Sequence, residues 1–286
     1  MTKYDTTHDR APRGVDDDGA WGEAARVPPG VGTAAQTAER LLALGASQPG
    51  KLVISPDAAP TAIEQYRRLG AVMYQAQANR RIKTAMVTSA FAAEGKSLST
   101  ANIALTLSES YRRRVLLIDA DLRRPTLHDT FQIPNLAGVS DWLKGDATSG
   151  RLPPLVEITQ HLTLLPGGRP SNDPMSGLTS ERMRRLLSMA AERYDWVILD
   201  TPPVAFLPDG HLLAAMVDTV VLVVVAGRTP APAAQRAVEE IGREKIIGVV
   251  LNRVANATLQ AYGQTSYYTS YRNAPAAPEP QREPRG

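Results

Sequence analysis

An α/β fold, a mainly parallel sheet covered by helices on both faces, is predicted by three observations. Short apolar runs alternate with stretches of helical periodicity along most of the 286 residues, as crossover-connected parallel strands require. Two of those runs, Val115-Leu116-Leu117-Ile118 and Trp196-Val197-Ile198-Leu199, end directly in Asp. A third, Ile82 to Ser89, leads through small residues into Gly95-Lys96-Ser97 and then into a helix-like run, Leu98 to Leu105. A single main domain of the P-loop nucleotide-hydrolase type follows, with mobile N- and C-terminal tails.

Composition bounds this reading from outside. With 43% hydrophobic and 21% charged residues the chain is an ordinary globular protein. Its 32 basic and 29 acidic residues leave +3, too little to direct it at nucleic acid, and none is expected as a partner. Cysteine is absent, so no disulfide framework and no thiolate metal site can form. The start, Met1-Thr2-Lys3-Tyr4-Asp5, lacks a basic-then-apolar signal pattern, and the longest apolar run, Thr219 to Gly227, is far too short to span a bilayer. A membrane role would have to be borrowed from a partner.

In chain order, residues 1–55 are rich in Gly, Ala, Pro, Asp and Arg, with one short apolar-periodic piece from Ala38 to Leu44; they read as a mobile extension. Residues 56–256 form the domain. From Thr61 to Ala78 the spacing of Ile63, Tyr66, Leu69, Val72 and Met73 predicts a helix with one packed face and a polar face of Glu64, Arg67 and Arg68. Arg112-Arg113-Arg114 marks a solvated turn before the strand at Val115. Further strands are expected at Leu162 to Leu165, Val220 to Val225 and Ile246 to Leu251, with helices at Ser180 to Arg193 and Pro232 to Arg243. Residues 257–286 read as a flexible tail. Four of the nine tyrosines, Tyr262, Tyr267, Tyr268 and Tyr271, fall within ten positions there, separated by Gly, Gln, Ser and Thr, and a Pro-rich end follows from Pro275 to Pro284. Such spacers supply no apolar face for the rings to pack on, so the tyrosines are expected to be exposed.

The chemistry is expected at the strand-to-helix turn Ala90 to Ser97. Backbone N–H groups from Ala93, Glu94, Gly95, Lys96, Ser97 and Leu98 at a helix start suit an anion. A lysine there can reach the outer phosphates, and a serine hydroxyl can ligate Mg²⁺. The strict pattern G-x-x-x-x-G-K-[ST] fails at its first position, which is Ala90; Ala replaces Gly without strain only where φ stays negative. Singly, an Asp after a strand is a loop cap. Asp119, Asp121 and Asp200 together with Gly95-Lys96-Ser97 instead predict carboxylates at strand ends facing the crevice where open α/β sheets bind ligands, where Mg²⁺ beside a triphosphate needs them.

With these residues in hand, the chain between Glu64 and Tyr271 resembles the bacterial tyrosine kinases (BY-kinases) of capsule and exopolysaccharide export. They lie within the deviant-Walker P-loop group that also holds the partition and cell-division ATPases. The resemblance rests on the loop Ala90 to Ser97, the second acidic motif Leu116 to Pro125, the Walker B-like Val197 to Pro203, Gly138-Val139-Ser140-Asp141-Trp142-Leu143, Leu165-Pro166-Gly167-Gly168, Ile247 to Arg253 and the tyrosine tail. It implies an ATP- and Mg²⁺-dependent tyrosine autokinase that phosphorylates Tyr262, Tyr267, Tyr268 and Tyr271 in trans and so regulates polymer synthesis and export. It further implies that Lys96 neutralises the β- and γ-phosphates, that Ser97, Asp121 and Asp200 hold Mg²⁺, and that Asp119 accepts the phenol proton. Homo-oligomers with the tail in a neighbouring site are implied too. So is a cytoplasmic location at the inner face of the membrane, to which a membrane-embedded polysaccharide co-polymerase or activator recruits the kinase.

Two departures carry expectations of their own. Where the family usually has Pro-Gly this loop has Ala92-Ala93, which predicts a stiffer loop. The family's ring-forming helix carries Glu-x-x-Arg-x-x-Arg, whereas here Glu64 and Arg67 are followed by Gly70, removing one bidentate partner for a neighbour's carboxylate. Two other functions stand beside the kinase. A partition-type ATPase switch has a second lysine early in the loop, where this chain has Phe91. An ATP-binding regulatory module would have lost its chemistry, against which the intact Lys96, Asp119, Asp121 and Asp200 argue.

Overall fold

The computed structural model describes residues 34–145, 155–204 and 208–255. Seven strands form one sheet: β1 (Thr84–Ser89), β2 (Val115–Asp119), β3 (Val156–Glu157), β4 (Leu162–Leu165), β5 (Trp196–Asp200), β6 (Thr219–Val225) and β7 (Ile246–Asn252), in the spatial order β3-β4-β2-β5-β1-β6-β7. Every pairing is parallel except β3 with β4. The short apolar runs are continuous rather than alternating because both faces of the sheet are covered. On β2, Leu116 and Ile118 join one core while Val115 and Leu117 join the other; on β5, Val197 and Leu199 part from Trp196 and Ile198 in the same way.

Helices complete both layers. One core is closed by α7 (Glu181–Arg193), α8 (Pro208–Met216) and α9 (Ala231–Ile241). Met183, Leu186, Leu187 and Ala190 recur on the α7 face turned to the sheet, and the Ser180 hydroxyl caps its start by accepting from the Met183 N–H at 3.3 Å. The other core is closed by α2 (Pro60–Arg80) and α3 (Lys96–Leu105). Four short helices, α4 (Leu127–Phe131), α5 (Val139–Lys144), α6 (Pro174–Leu178) and α8, and the antiparallel strand β3 have no counterpart in the predicted elements; each is too short for a hydrophobic period to declare itself.

Several expectations need correction. Residues 1–55 are not uniformly an extension: Ala34–Ser47 is a helix, α1, and Leu44 and Leu52 enter the core that α2 and α3 close, Leu52 with no exposed surface. The Asn102 side chain fixes this segment, accepting from the Val53 N–H at 2.8 Å and donating to the Lys51 carbonyl at 2.9 Å. Two leucines and one polar clasp are too sparse a signal for a periodicity argument. Val72 is not on the packed face of α2 but 46% exposed, while Met73 is buried. The run Arg112-Arg113-Arg114 is only partly solvated, because the Arg113 guanidinium lies 4.5 Å from the Tyr74 ring centre and its Nε is buried.

After α3 the helix widens into one π turn (Thr106–Ser110) that ends at Tyr111. The Tyr111 ring stacks on Tyr74, and its hydroxyl donates to the Arg67 carbonyl at 2.7 Å. Gly70 is buried under this ring, where a Cβ would come within 2.7 Å of Tyr111 Cε2. Absence of a side chain at 70 is therefore what lets α2 and the π turn meet.

Candidate functional site

Three strand ends converge. β2 and β5 are neighbours with Asp119 in register with Asp200, and β1, which pairs with β5 on its other side, runs out into the loop before α3. Parallel strands all point their C-termini to one edge, so residues distant in sequence meet there.

The loop itself obeys the expectation at one end and departs at the other. Ala90, where the strict pattern has Gly, does not have a positive φ; its Cβ costs nothing there. Ala93 instead takes the left-handed region at φ 62°, which costs an L-residue about 1–2 kcal/mol. Gly95, the residue before α3, has φ 92°. Lys96 opens the helix, and its ammonium lies 2.6 Å from Asp121 Oδ2 in a pair whose side chains are about nine-tenths buried. Asp121 Oδ1 also accepts from the Arg124 N–H at 3.2 Å.

Asp119 and Asp200 lie deeper, with no exposed surface. Asp119 Oδ2 accepts from the Thr126 and Leu127 N–H groups at 2.9 and 3.0 Å, and Oδ1 is buried with no partner. Thr100 Oγ1 lies 3.2 Å from Asp200 Oδ1 and the Ser97 hydroxyl hydrogen-bonds the same carboxylate, while Asp200 Oδ2 is a second buried oxygen without a partner. Burial, then the charge of Asp200, pushes the Asp119 carboxyl well above its ordinary value against the pull of the Leu127 and Thr126 N–H groups. Burial likewise raises Asp200, against the Lys96 ammonium and the Ser97 hydroxyl. For Lys96 burial acts downward, and the charges of Asp200 and Asp121 outweigh it and raise the ammonium above its ordinary value.

Three carboxylates thus face one ammonium in a low-dielectric pocket, an excess of negative charge that a divalent cation would offset. Among the described residues no group of three or more His, Cys, Asp or Glu is arranged to hold a metal ion by itself. The partnerless Oδ2 of Asp200 and the Ser97 hydroxyl nevertheless fit Mg²⁺, which takes one or two protein ligands and completes its shell with phosphate oxygens and water.

A cleft of about 330 Å³ opens over this group. Ala93, Gly95, Lys96, Ser97, Leu98 and Asp121 line it, as do Arg123, Arg124, Thr126, Pro202 and Pro203, which were not among the residues expected there. Their signal in the sequence was adjacency, since they follow Asp121 and Asp200 directly. The Glu94 carboxylate is turned away from the cleft, toward the Phe91 N–H and the Thr229 hydroxyl. A larger cleft of about 510 Å³ beside α5 and α6 is lined by Lys144, Asp173 and four serines, and the loop from Ala90 to Ser97 does not border it. Tyr262, Tyr267, Tyr268 and Tyr271 lie outside the described residues.

The segments Gly138 to Leu143 and Leu165 to Gly168 come together beside Asp119. The Val139 and Ser140 N–H groups donate to the Pro166 and Gly167 carbonyls, both at 2.9 Å, and Gly167 packs on Pro125. They buttress the acidic loop from behind.

Residues 86–275 match the CobQ/CobB/MinD/ParA nucleotide-binding domain family. The chain is 34% identical over 209 residues to the tyrosine-protein kinase YwqD of Bacillus subtilis, a span covering 72% of this chain and 85% of that protein. Among solved structures it is similar to the VpsO kinase domain (30% identity, TM-score 0.58, covering 67% of this chain and 95% of that one). It is also similar to the kinase domain of the Escherichia coli tyrosine kinase ETK (27% identity, TM-score 0.58, covering 68% and 78%).

Proposed function

The chain belongs to the CobQ/CobB/MinD/ParA nucleotide-binding family and, within it, to the bacterial tyrosine kinases, and on that premise we propose that it transfers the γ-phosphoryl group of Mg-ATP to the tyrosines of its own C-terminal cluster, between molecules. The observation that supports this most directly is that Lys96 and Asp121 line the cleft while Asp119 and Asp200 lie buried behind them, each with one carboxylate oxygen left without a partner.

In this reading the N–H groups of the loop from Ala93 to Leu98 bind the phosphates. Lys96 leaves Asp121 to neutralise the β- and γ-phosphates, which frees Asp121 for the metal beside Ser97 and Asp200. Magnesium supplies charge neutralisation at the phosphates when bound. Asp119 takes the phenol proton as the tyrosine oxygen bonds to the γ-phosphorus and the bond from that phosphorus to the bridging oxygen breaks, releasing ADP. A free phenol has pKa near 10, and the raised carboxyl of Asp119 narrows the gap the proton has to cross. Tyr262, Tyr267, Tyr268 and Tyr271 are the proposed acceptors.

Regulation of exopolysaccharide or capsule export is the proposed output. Among the described residues no helix is long and apolar enough to cross a membrane, and a membrane-embedded activator is proposed to recruit the kinase to the inner face of the membrane. By analogy with the family, it docks near α2 or the Asp200-Thr201-Pro202-Pro203 turn.

Incubation of the purified chain with Mg-ATP, followed by tryptic mass spectrometry of the tail, tests the reaction. Phosphotyrosine is expected, and Lys96→Met should abolish it while leaving the circular dichroism spectrum unchanged. Phosphate release without phosphotyrosine identifies an ATPase switch; neither product identifies a regulatory module.

A further inference from the structure

The anion-binding loop is held in shape from outside. Between Ala90 and Gly95 it contains two left-handed residues, Ala93 at φ 62° and Gly95 at φ 92°, and for alanine that conformation is unfavourable unless the surroundings enforce it. Four side chains supply that enforcement. Arg253, just beyond β7, donates from its guanidinium to the Ala93 carbonyl at 3.0 Å. Asn252, the last residue of β7, donates to the Glu94 carbonyl at 2.9 Å, and its own oxygen accepts from the Arg253 N–H at 2.8 Å. It packs so closely that a Cβ on Gly95 would fall 2.1 Å from its Nδ2. The Glu94 carboxylate, 5% exposed, accepts from the Phe91 N–H at 3.0 Å and from the Thr229 hydroxyl, which itself accepts from the Val225 N–H at 2.8 Å.

In a trans peptide the C=O and the following N–H point to opposite sides. Capture of the Ala93 and Glu94 carbonyls by Arg253 and Asn252 on the outer side therefore turns the N–H groups of Glu94 and Gly95 inward, toward the cleft. We propose that Glu94, Thr229, Asn252 and Arg253 are positioning residues for nucleotide binding, a clamp that orients these two N–H donors and holds Ala93 in the conformation it would otherwise leave. None of the four residues lines the cleft; they act through the loop. The clamp ties the loop to the ends of β6 and β7, and its strength rests on three acceptors that no residue inside the loop occupies, except the Phe91 N–H contact.

This inference rests on the cleft being a nucleotide site, and its test separates the two. In the full chain, Arg253→Met and Thr229→Val are expected to weaken Mg-ADP binding about fivefold to tenfold, the factor that one lost hydrogen bond produces, measured by isothermal titration calorimetry. Thr229→Ser keeps the hydroxyl and should bind as the parent does. Without nucleotide, hydrogen–deuterium exchange at the amides of Phe91 to Gly95 should speed up in the two weakened variants, with the thermal midpoint unchanged. In transfer assays KM for ATP should rise more than kcat falls. Adding Ala93→Gly to Arg253→Met should restore most of the affinity, because the glycine no longer needs to be held. Unchanged exchange in both variants, or an equal loss of affinity with and without Ala93→Gly, would overturn the clamp. A parental chain that fails to bind Mg-ADP would instead overturn the nucleotide reading, and the exchange measurement, which needs no nucleotide, would still judge the clamp.

Discussion

Asp119 and Asp200 lie side by side at the ends of adjacent strands, both without exposed surface, and differ in what holds them. Asp119 is fixed by two backbone N–H groups at the start of α4, whereas Asp200 is held by hydroxyls from α3. That difference is consistent with the proposal that Asp119 moves a proton and Asp200 holds the metal. Asp119→Asn keeps the shape and the acceptor for Thr126 and Leu127, so it should retain Mg-ADP binding in calorimetry and lower the phosphotyrosine yield about 10²-fold or more. Loss of binding would move Asp119 to the metal. Gly70 makes the opposite point, about packing. The family's second arginine at that position would start from a Cβ buried against Tyr111, so Gly70→Arg should destabilise the fold by about 1–3 kcal/mol through overpacking, read as a lower thermal midpoint. An unchanged midpoint would mean that Tyr111 swings aside.

Among elements, the two central acidic strands are fastened at their starts as well as their ends. Arg114 precedes β2 and Asp195 precedes β5; the Asp195 carboxylate accepts from the Arg114 N–H at 2.9 Å and from its guanidinium at 3.0 Å, and Gln77 of α2 donates to the Asp195 carbonyl. Partial burial pushes the Asp195 carboxyl up, but the Arg114 guanidinium and N–H outweigh it and hold the carboxyl below its ordinary value. A carboxyl lowered in the folded state stabilises the fold above its unfolded pKa, near 3.9 for Asp. The contribution is lost as pH falls through the lowered folded value. Asp195→Asn should therefore cost about 1 kcal/mol or less at pH 7, given the exposure of Arg114, and the deficit relative to the parent should begin to shrink in thermal melts as pH drops below about 4 and vanish below the lowered folded value. A deficit independent of pH would mean that the carboxylate charge plays no part. At this scale the sequence was a good guide to strands and long helices, whose apolar periods are unambiguous, and a poor one to α1. The apolar piece from Ala38 to Leu44 was visible, but not that Leu44 and Leu52 would join the core closed by α2 and α3.

For the whole molecule, the proposed cycle is one of assembly. Tyr262, nine positions after Arg253 in the sequence, begins a cluster of four tyrosines. Each phosphate adds about −1.5 to −2 charges, so four add roughly −6 to −8 beside a crevice already rich in carboxylates. Unphosphorylated chains should associate, tail into neighbouring site, and phosphorylated chains should separate. Light scattering on a variant with all four tyrosines changed to phenylalanine and on fully phosphorylated protein should give a larger mass for the first. Equal masses would refute release by charge. With Gly70 turned toward Tyr111, the contact between subunits has to be made by other residues of α2 or by the tail itself.

The layered α/β architecture, the Gly-Lys-Ser loop before α3 and the acids at the ends of β2 and β5 were legible from the residues alone, because strand periods, the Gly-Lys-Ser turn and the Asp that follows each apolar run are all local patterns. How those pieces are held depends on the three-dimensional packing. The pairing of Lys96 with Asp121, the partnerless oxygens of Asp119 and Asp200, and the turning of Glu94 away from the cleft toward Thr229 all join residues 25 to 135 positions apart or depend on which atoms burial deprives of water. No spacing rule reaches across such distances. The left-handed Ala93 makes the same case in one residue: its strain is set by its own φ, but the side chains that hold it there come from the end of β7, about 160 positions on in the sequence.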